Sequence, residues 1–364
     1  MKNSLVVIIT PSRSQPRFHK RISNLKKFSD IVVFTFRRGL YEINDFQIGV
    51  QVFDLGLVKD REYIRRIFPF IRAIRIVKRN LPSRYKVIKF YTFSIDCLLI
   101  AKLAGIKKGF LEIGDLIFLN TANKWFRLIE KLILRFVNGL VLTSKEYYNK
   151  YYKFLLKHQD KPSVYIIENR VPSILLDNRI YGKSKKVFEN RRYIIGLVGF
   201  LRFKTPIIRL LKFVNENTNL VSLKVFGDGP CKSLIKKHLS ENITFFGSFK
   251  NPDDLPKIYN GIDINYVVYD ATYLNEQIAI PNKLYESAFF QVPLVCSPHT
   301  YLSELTKKWG IGGIARIDTQ NHFDFDMKKI LNPKWINSAV KNCDVIPNSE
   351  LLDHQENIIK TMLI

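Results

Sequence analysis

The chain has 364 residues, of which 46% are hydrophobic, so it is long enough for about two globular domains and too apolar to be disordered. Its net charge is +26. Residues 1–180 carry 34 Lys and Arg against 14 Asp and Glu (+20), whereas residues 181–364 carry 24 against 18 (+6). This asymmetry indicates that the first half faces an anionic partner: a membrane surface, a nucleic acid or a phosphorylated substrate.

No segment of the sequence is typical of membrane insertion or export. No apolar run approaches the ~18–20 residues that cross a bilayer, and the first run, residues 5–9, is too short for a signal sequence. The four cysteines are scattered without a Cys-x-x-Cys spacing, which favours a reducing compartment over a disulfide framework or a zinc site. The sequence therefore predicts a cytoplasmic protein.

The first half alternates strand patterns with helix patterns, which is typical of βαβ units. Apolar runs predict strands at residues 5–9, 31–36, 87–91, 109–113, 139–143 and 164–167. Helices are predicted at residues 16–28, 60–79, 124–137 and from residue 145. Arg17, His19 and Lys20 follow the first strand, where open parallel sheets bind ligands, although they also fit the solvated start of a helix.

Two of these helices, 60–79 and 124–137, alternate basic and apolar residues at helical spacing. Pro69 should kink or split the first of them. Such helices can lie at a lipid interface, with cations on the headgroups, or can face a core with a solvated basic back. The candidates for membrane contact are Arg65, Arg72, Lys124, Arg127 and Lys131.

The second half restarts the same pattern after residues 173–191, which lack periodicity and predict a linker. Strands are predicted at residues 193–198, 222–226, 243–246, 262–268 and 294–296, and helices at 206–215, 230–239, 252–259, 281–290 and 349–363. The predicted fold is therefore α/β, with two Rossmann-like doubly wound domains facing a central cleft. The predicted domains are residues 1–180 and 181–345, followed by a C-terminal helix within 346–364 that packs back on the first domain.

A lysine and a glutamate lie three residues apart at the start of the helix that follows Pro281, and this spacing places Lys283 and Glu286 on one face. A carboxylate there can accept two sugar hydroxyls, while an ammonium and free backbone N–H groups can meet phosphate. The alternative is an exposed salt bridge on an ordinary helix.

Five short motifs follow one another in the second half of the chain: GFLR at 199–202, VFGDGP at 225–230, ITFFG at 243–247, ID at 262–263 and PNKLYE at 281–286. Together they resemble the donor domain of bacterial retaining glycosyltransferases of the GT-B fold, of the group 1, family-four-like type that serves in capsule, O-antigen and other polysaccharide biosynthesis. The first half is similar more loosely, through PR at 16–17, LEIGDL at 111–116 and VLTS at 141–144.

The resemblance implies a donor site for a nucleotide-diphosphate sugar. It implies that Glu286 binds the ribose hydroxyls, that Arg202 and Lys283 meet the diphosphate, and that glycines let the backbone approach the nucleoside. The chain departs from the family pattern at Ile278, where a second glutamate is usual, and the neighbouring Asn275 and Glu276 are candidates for the sugar contacts instead. The remaining residues assigned to the donor are Lys204, Asn282, Gly199, Gly227 and Gly229.

The expected reaction is glycosyl transfer without a metal or other cofactor, with cations and helix N-termini neutralising the departing diphosphate. Asp115 is the first candidate for the catalytic base, Glu112 the second and His19 a further one, and each also fits an ordinary structural role. Arg17 and Lys20 are expected to contact the acceptor. The resemblance implies a lipid-linked or glycan acceptor, reached from the inner face of an anionic membrane to which the protein binds peripherally.

Two other functions fit parts of the sequence. A nucleotide-sugar epimerase of the same fold would also bind a nucleotide through Glu286, but it would not need a basic first half. A basic nucleic-acid-binding protein would suit the charge, but no RNP, helix-turn-helix or zinc pattern is present. We therefore expect a nucleotide sugar as a partner and no nucleic acid.

Overall fold

The structure, a computed structural model, describes residues 4–13, 15–38, 49–58, 67–118, 123–157, 162–179 and 192–363. The chain divides into two compact units. The first comprises Met1–Glu168 together with Gln355–Ile364, and the second comprises Asn169–His354. The segment that follows residue 168 therefore belongs to the second unit, and the last ten residues return to the first.

The first unit is built on a parallel sheet with helices between its strands. Its described strands are β1 (Ser4–Thr10), β2 (Asp30–Arg37), β3 (Gln51–Leu57), β4 (Val87–Thr92), β5 (Lys108–Ile113), β6 (Gly139–Leu142) and β7 (Ser163–Ile166). They lie in the order β3-β2-β1-β4-β5-β6-β7. The helices are α1 (Pro16–Lys26), α2 (Ile67–Arg79), α3 (Ile95–Leu103), α4 (Lys124–Leu134), α5 (Lys145–Tyr147) and α6 (Lys153–Leu155), with a π-helical turn, Tyr148–Tyr152, between the last two.

The second unit repeats this architecture. Its described strands are β8 (Tyr193–Val198), β9 (Val221–Phe226), β10 (Ile243–Gly247), β11 (Ile264–Val267), β12 (Leu294–Cys296) and β13 (Gly312–Ile314), in the order β10-β9-β8-β11-β12-β13. The helices are α7 (Lys204–Glu216), α8 (Lys232–Lys236), α9 (Leu255–Asn260), α10 (Leu274–Ile278), α11 (Asn282–Phe289), α12 (Tyr301–Trp309), α13 (Gln320–Ile330), α14 (Pro333–Asp344) and α15 (Asn348–Leu351).

The prediction of two Rossmann-like units is confirmed. In each sheet the first six strands follow the order 3-2-1-4-5-6, and every described strand pair is parallel. In such sheets the strand order reverses at one point, here between β1 and β4 and between β8 and β11. Ligands bind beyond the carboxyl ends of the strands at this switch point.

The prediction of one continuous C-terminal helix is wrong. The tail folds as α15 and then α16 (Glu356–Leu363), with non-helical residues between them. Ile359 and Met362 of α16 are buried in the core of the first unit together with Ile8 of β1 and Phe18 and Ile22 of α1.

Within the described ranges, no helix combines the length and the apolar character that spanning a bilayer requires. The four cysteines are buried and free.

Candidate functional site

Glu286 occupies the centre of the candidate donor site, on helix α11. Pro281 precedes this helix as its N-cap rather than within the first turn. Although carboxylates are seldom buried, Glu286 is only 4% exposed. The Tyr259 hydroxyl donates a hydrogen bond of 2.7 Å to Glu286 Oε2. The alternative prediction, an exposed salt bridge with Lys283, is wrong, because the carboxylate is buried and no ion pair between these two described residues is present.

A hydrogen-bonded chain fixes the position of that tyrosine. Asn265 of strand β11 donates from Nδ2 to the Tyr259 hydroxyl (3.2 Å) and to Ser287 Oγ (2.8 Å). The network thus links α9, β11 and α11 around one oxygen of Glu286. Tyr259 and Asn265 are not among the site residues that the sequence predicts. Asn265 did carry a signal, because a polar residue inside a buried strand needs a specific partner.

Lys283 lies against the loop that follows β8. A Cβ atom built on Gly199 would lie 2.7 Å from Lys283 Nζ, and Gly199 has a φ of +115°, which other residues rarely adopt. The glycine therefore leaves the space into which the ammonium extends.

The other two glycines of the predicted site bring two loops together. A Cβ on Gly227 would lie 1.8 Å from the carbonyl oxygen of Gly199, and one on Gly229 would lie 2.7 Å from the carbonyl oxygen of Leu201. Backbone hydrogen bonds join the same loops, including Leu201 N to Asp228 O at 2.9 Å. The loops after β8 and β9 can pack this closely only with glycine at 227 and 229, so their packing by itself accounts for both glycines.

Arg202 and Glu276 form an ion pair beside the switch point of the second sheet. Arg202 Nη2 lies 3.2 Å from Glu276 Oε1, and the Arg202 guanidinium lies 4.6 Å from the Phe203 ring centroid. The Arg202 side chain is 40% exposed, whereas that of Glu276 is 7% exposed. Asn275 Nδ2 lies 3.4 Å from the same Oε1. The structure therefore brings three of the predicted donor residues together.

The second oxygen of Glu276 is buried, and no described residue bonds to it. Glu276 lines a small pocket together with residues from the loops that surround the end of β11, namely Val267, Tyr269, Ala279, Pro281, Ser297, Thr300 and Leu302. A buried carboxylate oxygen without a hydrogen bond, on a residue that lines a pocket, is suited to accept a hydrogen bond from a hydroxyl.

Two further predicted donor residues begin helices. Lys204 is the exposed first residue of α7, and the half-buried Asn282 is the first residue of α11. Both sit where free backbone N–H groups of a helix meet anions.

One Asp-x-Asp sequence, at residues 324–326, lies on helix α13. Arg316 donates to both oxygens of Asp326 at 2.8 Å, and Gln320 donates to Asp324 at 2.7 Å. These two carboxylates are therefore engaged in bonds within the second unit.

Glu112, a predicted base, lies at the end of β5 in the first unit and is fully buried. It accepts hydrogen bonds from Arg21 Nε (2.8 Å) and from the Tyr91 hydroxyl, and Arg17 Nε lies 3.6 Å away. Burial raises the pKa of Glu112, but the two guanidiniums and these hydrogen bonds outweigh it and place the pKa below its ordinary value. These contacts hold the carboxylate charged inside the protein, which is typical of a structural role.

The other predicted catalytic groups lie nearer the surface. Asp115 is exposed two residues beyond β5, and the preceding Gly114 carbonyl accepts a hydrogen bond from Tyr147. His19 Nε2 lies 2.6 Å from the carbonyl oxygen of Arg13, and burial lowers the pKa of His19. Of these groups, only Asp115 is exposed on the carboxyl side of the sheet.

The predicted basic helices differ in how much of them is described. Arg65 lies outside the described residues, while α2 is described from Ile67 and includes Pro69, and Arg72 is exposed. Helix α4 is described throughout, and it buries only Glu130 and Leu134. The alternative of a core-facing apolar stripe on α4 is therefore wrong.

The outer face of α4 is apolar and basic at once. Trp125 is 74% exposed. The other exposed large apolar residues on and just after the helix are Phe126, Leu128, Ile129, Leu132 and Phe136. On the inner side, Glu130 accepts hydrogen bonds from the hydroxyls of Tyr151 (2.5 Å) and Tyr152 (2.7 Å), which fix the helix to the unit.

Comparison with solved structures shows that the chain has the GT-B fold. HepE from Anabaena, solved with UDP and glucose, matches with a TM-score of 0.68 at 10% identity over 98% of both chains. WaaG, a glycosyltransferase involved in lipopolysaccharide biosynthesis, matches with a TM-score of 0.63 at 12% identity over 99% of this chain and 98% of its own. A UDP-N-acetylglucosamine 2-epimerase matches with a TM-score of 0.60 at 14% identity over 96% and 94%. No protein-family model matches the sequence, and no curated protein matches it either.

Proposed function

We propose that this chain is a glycosyltransferase that transfers a sugar from a nucleotide-diphosphate sugar to an acceptor. The observation that carries the proposal is the buried Glu286, which Tyr259 holds by one oxygen on a helix whose start also bears Lys283. A carboxylate fixed in this way can accept hydrogen bonds from vicinal ribose hydroxyls without first being ordered. The structures of HepE with UDP and with UDP-glucose support a donor of this class.

In the proposed reaction, cations of the chain stabilise the departing diphosphate without a metal. Arg202, Lys283 and Lys204 supply the positive charge, and the amides at the start of α11 add donors. Arg202 would exchange its contact with Glu276 for the diphosphate, which would release the Glu276 carboxylate towards the sugar. We propose retention of the anomeric configuration, in line with the sequence resemblance.

The first unit supplies the acceptor side of the proposal. Asp115 is the exposed carboxylate beyond β5, and we assign to it the role of base or of stabiliser of the oxocarbenium-like transition state. Lys20 remains a candidate for acceptor contact, while Glu112, which is fully buried, and His19, whose ring lies against the Arg13 carbonyl, are given positioning roles.

The activity is tested by measuring release of UDP from UDP-glucose and other UDP-sugars in the presence and absence of a bacterial lipid extract. A glycosyltransferase releases UDP in an acceptor-dependent manner and labels the lipid fraction with sugar. An epimerase, the second candidate because one fold neighbour has that function, converts the nucleotide sugar without acceptor, and NMR of the sugar detects this. Conversion without acceptor would contradict the proposal.

We further propose that α4 binds the inner face of an anionic membrane, where a lipid-linked acceptor for surface polysaccharide such as capsule or O-antigen would lie. The exposed apolar face with Trp125 at one end is suited to the acyl boundary. Lys124, Arg127 and Lys131 provide cations for lipid phosphates, each worth about 1 kcal/mol near the surface. Arg72 on α2 would add to them.

Vesicle co-sedimentation tests this membrane contact. Wild-type protein should bind phosphatidylglycerol vesicles, and this binding should weaken as the salt concentration rises. It should not bind phosphatidylcholine vesicles. The double variant Arg127→Glu/Lys131→Glu should lose most of this binding. The matched control, Lys328→Glu/Lys329→Glu on α13 of the second unit, should retain it. Equal loss in both variants would show that total charge, and not α4, accounts for binding.

A further inference from the structure

Asn265 is a polar side chain inside an apolar part of the second unit. It is the second residue of strand β11 and is fully buried. Its neighbours Ile264 and Tyr266 pack into one core of the unit, whereas Val267, two residues further on, packs into the other. Because side chains alternate along a strand, Asn265 lies on the same side as Val267. An amide is costly to bury there unless its hydrogen bonds are made.

Both hydrogens of the Asn265 amide are used. Nδ2 donates to the Tyr259 hydroxyl at 3.2 Å and to Ser287 Oγ at 2.8 Å. Burial raises the pKa of Tyr259 well above its ordinary value, so the hydroxyl keeps its proton. It donates that single proton to Glu286 Oε2 at 2.7 Å. Asn265 therefore sets the direction of the hydrogen-bonded chain, from the amide to the tyrosine and from the tyrosine to the carboxylate.

The carboxylate at the end of this chain is left with acceptor positions for a ligand. The Tyr259 ring is fully buried and stacks on Phe290, with the ring centroids 5.0 Å apart, so its hydroxyl cannot move far. Within the described ranges, Tyr259 is the one residue that donates to the Glu286 side chain. Oε1 and the second lone pair of Oε2 therefore remain, and these match the two hydroxyls of a vicinal diol.

A different side chain at position 265 would change this direction. A carboxylate there would compete with Glu286 for the single proton of Tyr259, and the two acids would repel each other. An apolar side chain would leave the Tyr259 hydroxyl free to turn its proton towards another acceptor. In both cases Glu286 would no longer be held in one orientation.

We propose that Asn265 is a positioning residue for the donor, which acts through Tyr259 to orient Glu286 so that it binds both ribose hydroxyls. This inference rests on the proposed function and deepens it, because it specifies the donor as the diphosphate sugar of a ribonucleoside. A site that hydrogen-bonds a hydroxyl discriminates against the analogue that lacks it. The preference for a ribonucleotide over its 2′-deoxy analogue therefore reports on the orientation of Glu286.

The test is calorimetric titration of the full chain with UDP and with 2′-deoxy-UDP. Wild-type protein should bind UDP about tenfold more tightly than 2′-deoxy-UDP. Asn265→Asp should bind UDP about tenfold more weakly than the wild type does. Its affinity for 2′-deoxy-UDP should fall less, so that most of the preference is lost. Asn265→Leu, which removes the donor without adding a charge, should reduce the preference in the same direction.

The matched control is Asn242→Asp, which makes the same exchange at another buried position of the second unit. Asn242 Oδ1 accepts a hydrogen bond of 2.6 Å from Arg192 Nη1, and an aspartate can accept the same bond. This variant should bind both nucleotides as the wild type does.

The preference separates a positioning role from a structural one. A site that is merely disrupted loses affinity for both nucleotides by the same factor, and this result in Asn265→Asp would overturn the inference. Wild-type UDP affinity in Asn265→Asp, or an equal loss in Asn242→Asp, would also overturn it. Thermal melting shows whether Asn265→Asp is folded, and if it is not, an unchanged preference in Asn265→Leu overturns the inference. Equal binding of UDP and 2′-deoxy-UDP by the wild type would contradict the role of Glu286 itself, and with it both the proposed function and the inference.

Discussion

The two units share a strand order, and each places an arginine–glutamate pair near the switch point of its sheet, but the two pairs differ in what they leave open. In the first unit Glu112 is fully buried, Arg21 and Tyr91 both donate to its Oε2, and its Oε1 lies 3.6 Å from Arg17 Nε. In the second, Arg202 is substantially exposed, and Glu276 retains an unbonded oxygen at a pocket. The same architecture thus uses one carboxylate to hold structure and leaves the other able to accept a ligand.

The largest expected effect concerns stability and separates the two pairs directly. Glu112→Ala leaves the buried Arg21 guanidinium, and the partly exposed one of Arg17, without their carboxylate, which should cost about 3–5 kcal/mol. Glu276→Ala breaks a half-exposed pair and should cost under about 1 kcal/mol. Urea unfolding followed by circular dichroism measures both. Equal losses would show that the two pairs have the same structural role.

The next effect concerns the sugar. Glu276→Gln removes the charge that holds Arg202 and reduces the acceptor strength of the free oxygen. Affinity for UDP-glucose should fall about tenfold, in keeping with the loss of a charged hydrogen bond. Affinity for UDP should be unchanged or higher, because Arg202 becomes available for the diphosphate. Calorimetry with both ligands measures this ratio, and a parallel loss of both affinities would place Glu276 outside the sugar site.

A smaller effect concerns the residue that positions Glu286. Tyr259→Phe removes the hydrogen bond to Glu286 Oε2 and should weaken UDP binding about fivefold, equivalent to about 1 kcal/mol. Tyr273→Phe, at an exposed position of the same unit, is the matched control. If Tyr259→Phe retains wild-type affinity, Glu286 does not depend on this contact for its orientation.

The smallest effect is a pH dependence in the first unit. Because burial lowers the pKa of His19, the folded state binds fewer protons here than the unfolded state does. Stability from this group is present above its ordinary pKa of about 6.5 and is lost as the pH falls below it. His19→Gln should therefore reduce the fall in melting temperature between pH 7 and pH 5 by about 1–2 °C. An unchanged fall would assign the acid sensitivity to other groups.

The sequence predicted the repeated βαβ architecture because buried parallel strands are continuous apolar runs. Strand β3 was missed because Asp54 and Gly56 interrupt its pattern, and α3 was missed because its nearly uniform apolar sequence shows no helical period. Glu286 could be singled out because the segment that carries it, PNKLYE at 281–286, is continuous in sequence. Tyr259 could not, because only the tertiary fold brings it to Glu286.

The exposed face of α4 shows a different limit. Its period predicted an amphipathic helix correctly, but the period alone does not say whether the apolar side meets a core or solvent. Here hydrogen bonds from two tyrosines hold Glu130 on the buried side of α4, so the apolar stripe lies on the exposed side.

The central claim, that Glu286 binds the nucleotide, is tested most directly by calorimetric titration of UDP into wild-type protein, Glu286→Ala and the exposed-site control Glu304→Ala. The account predicts that Glu286→Ala binds UDP at least 100-fold more weakly, a loss of about 2.7 kcal/mol or more, with the fold intact and Glu304→Ala unaffected. Binding of UDP by Glu286→Ala within threefold of the wild type would contradict it.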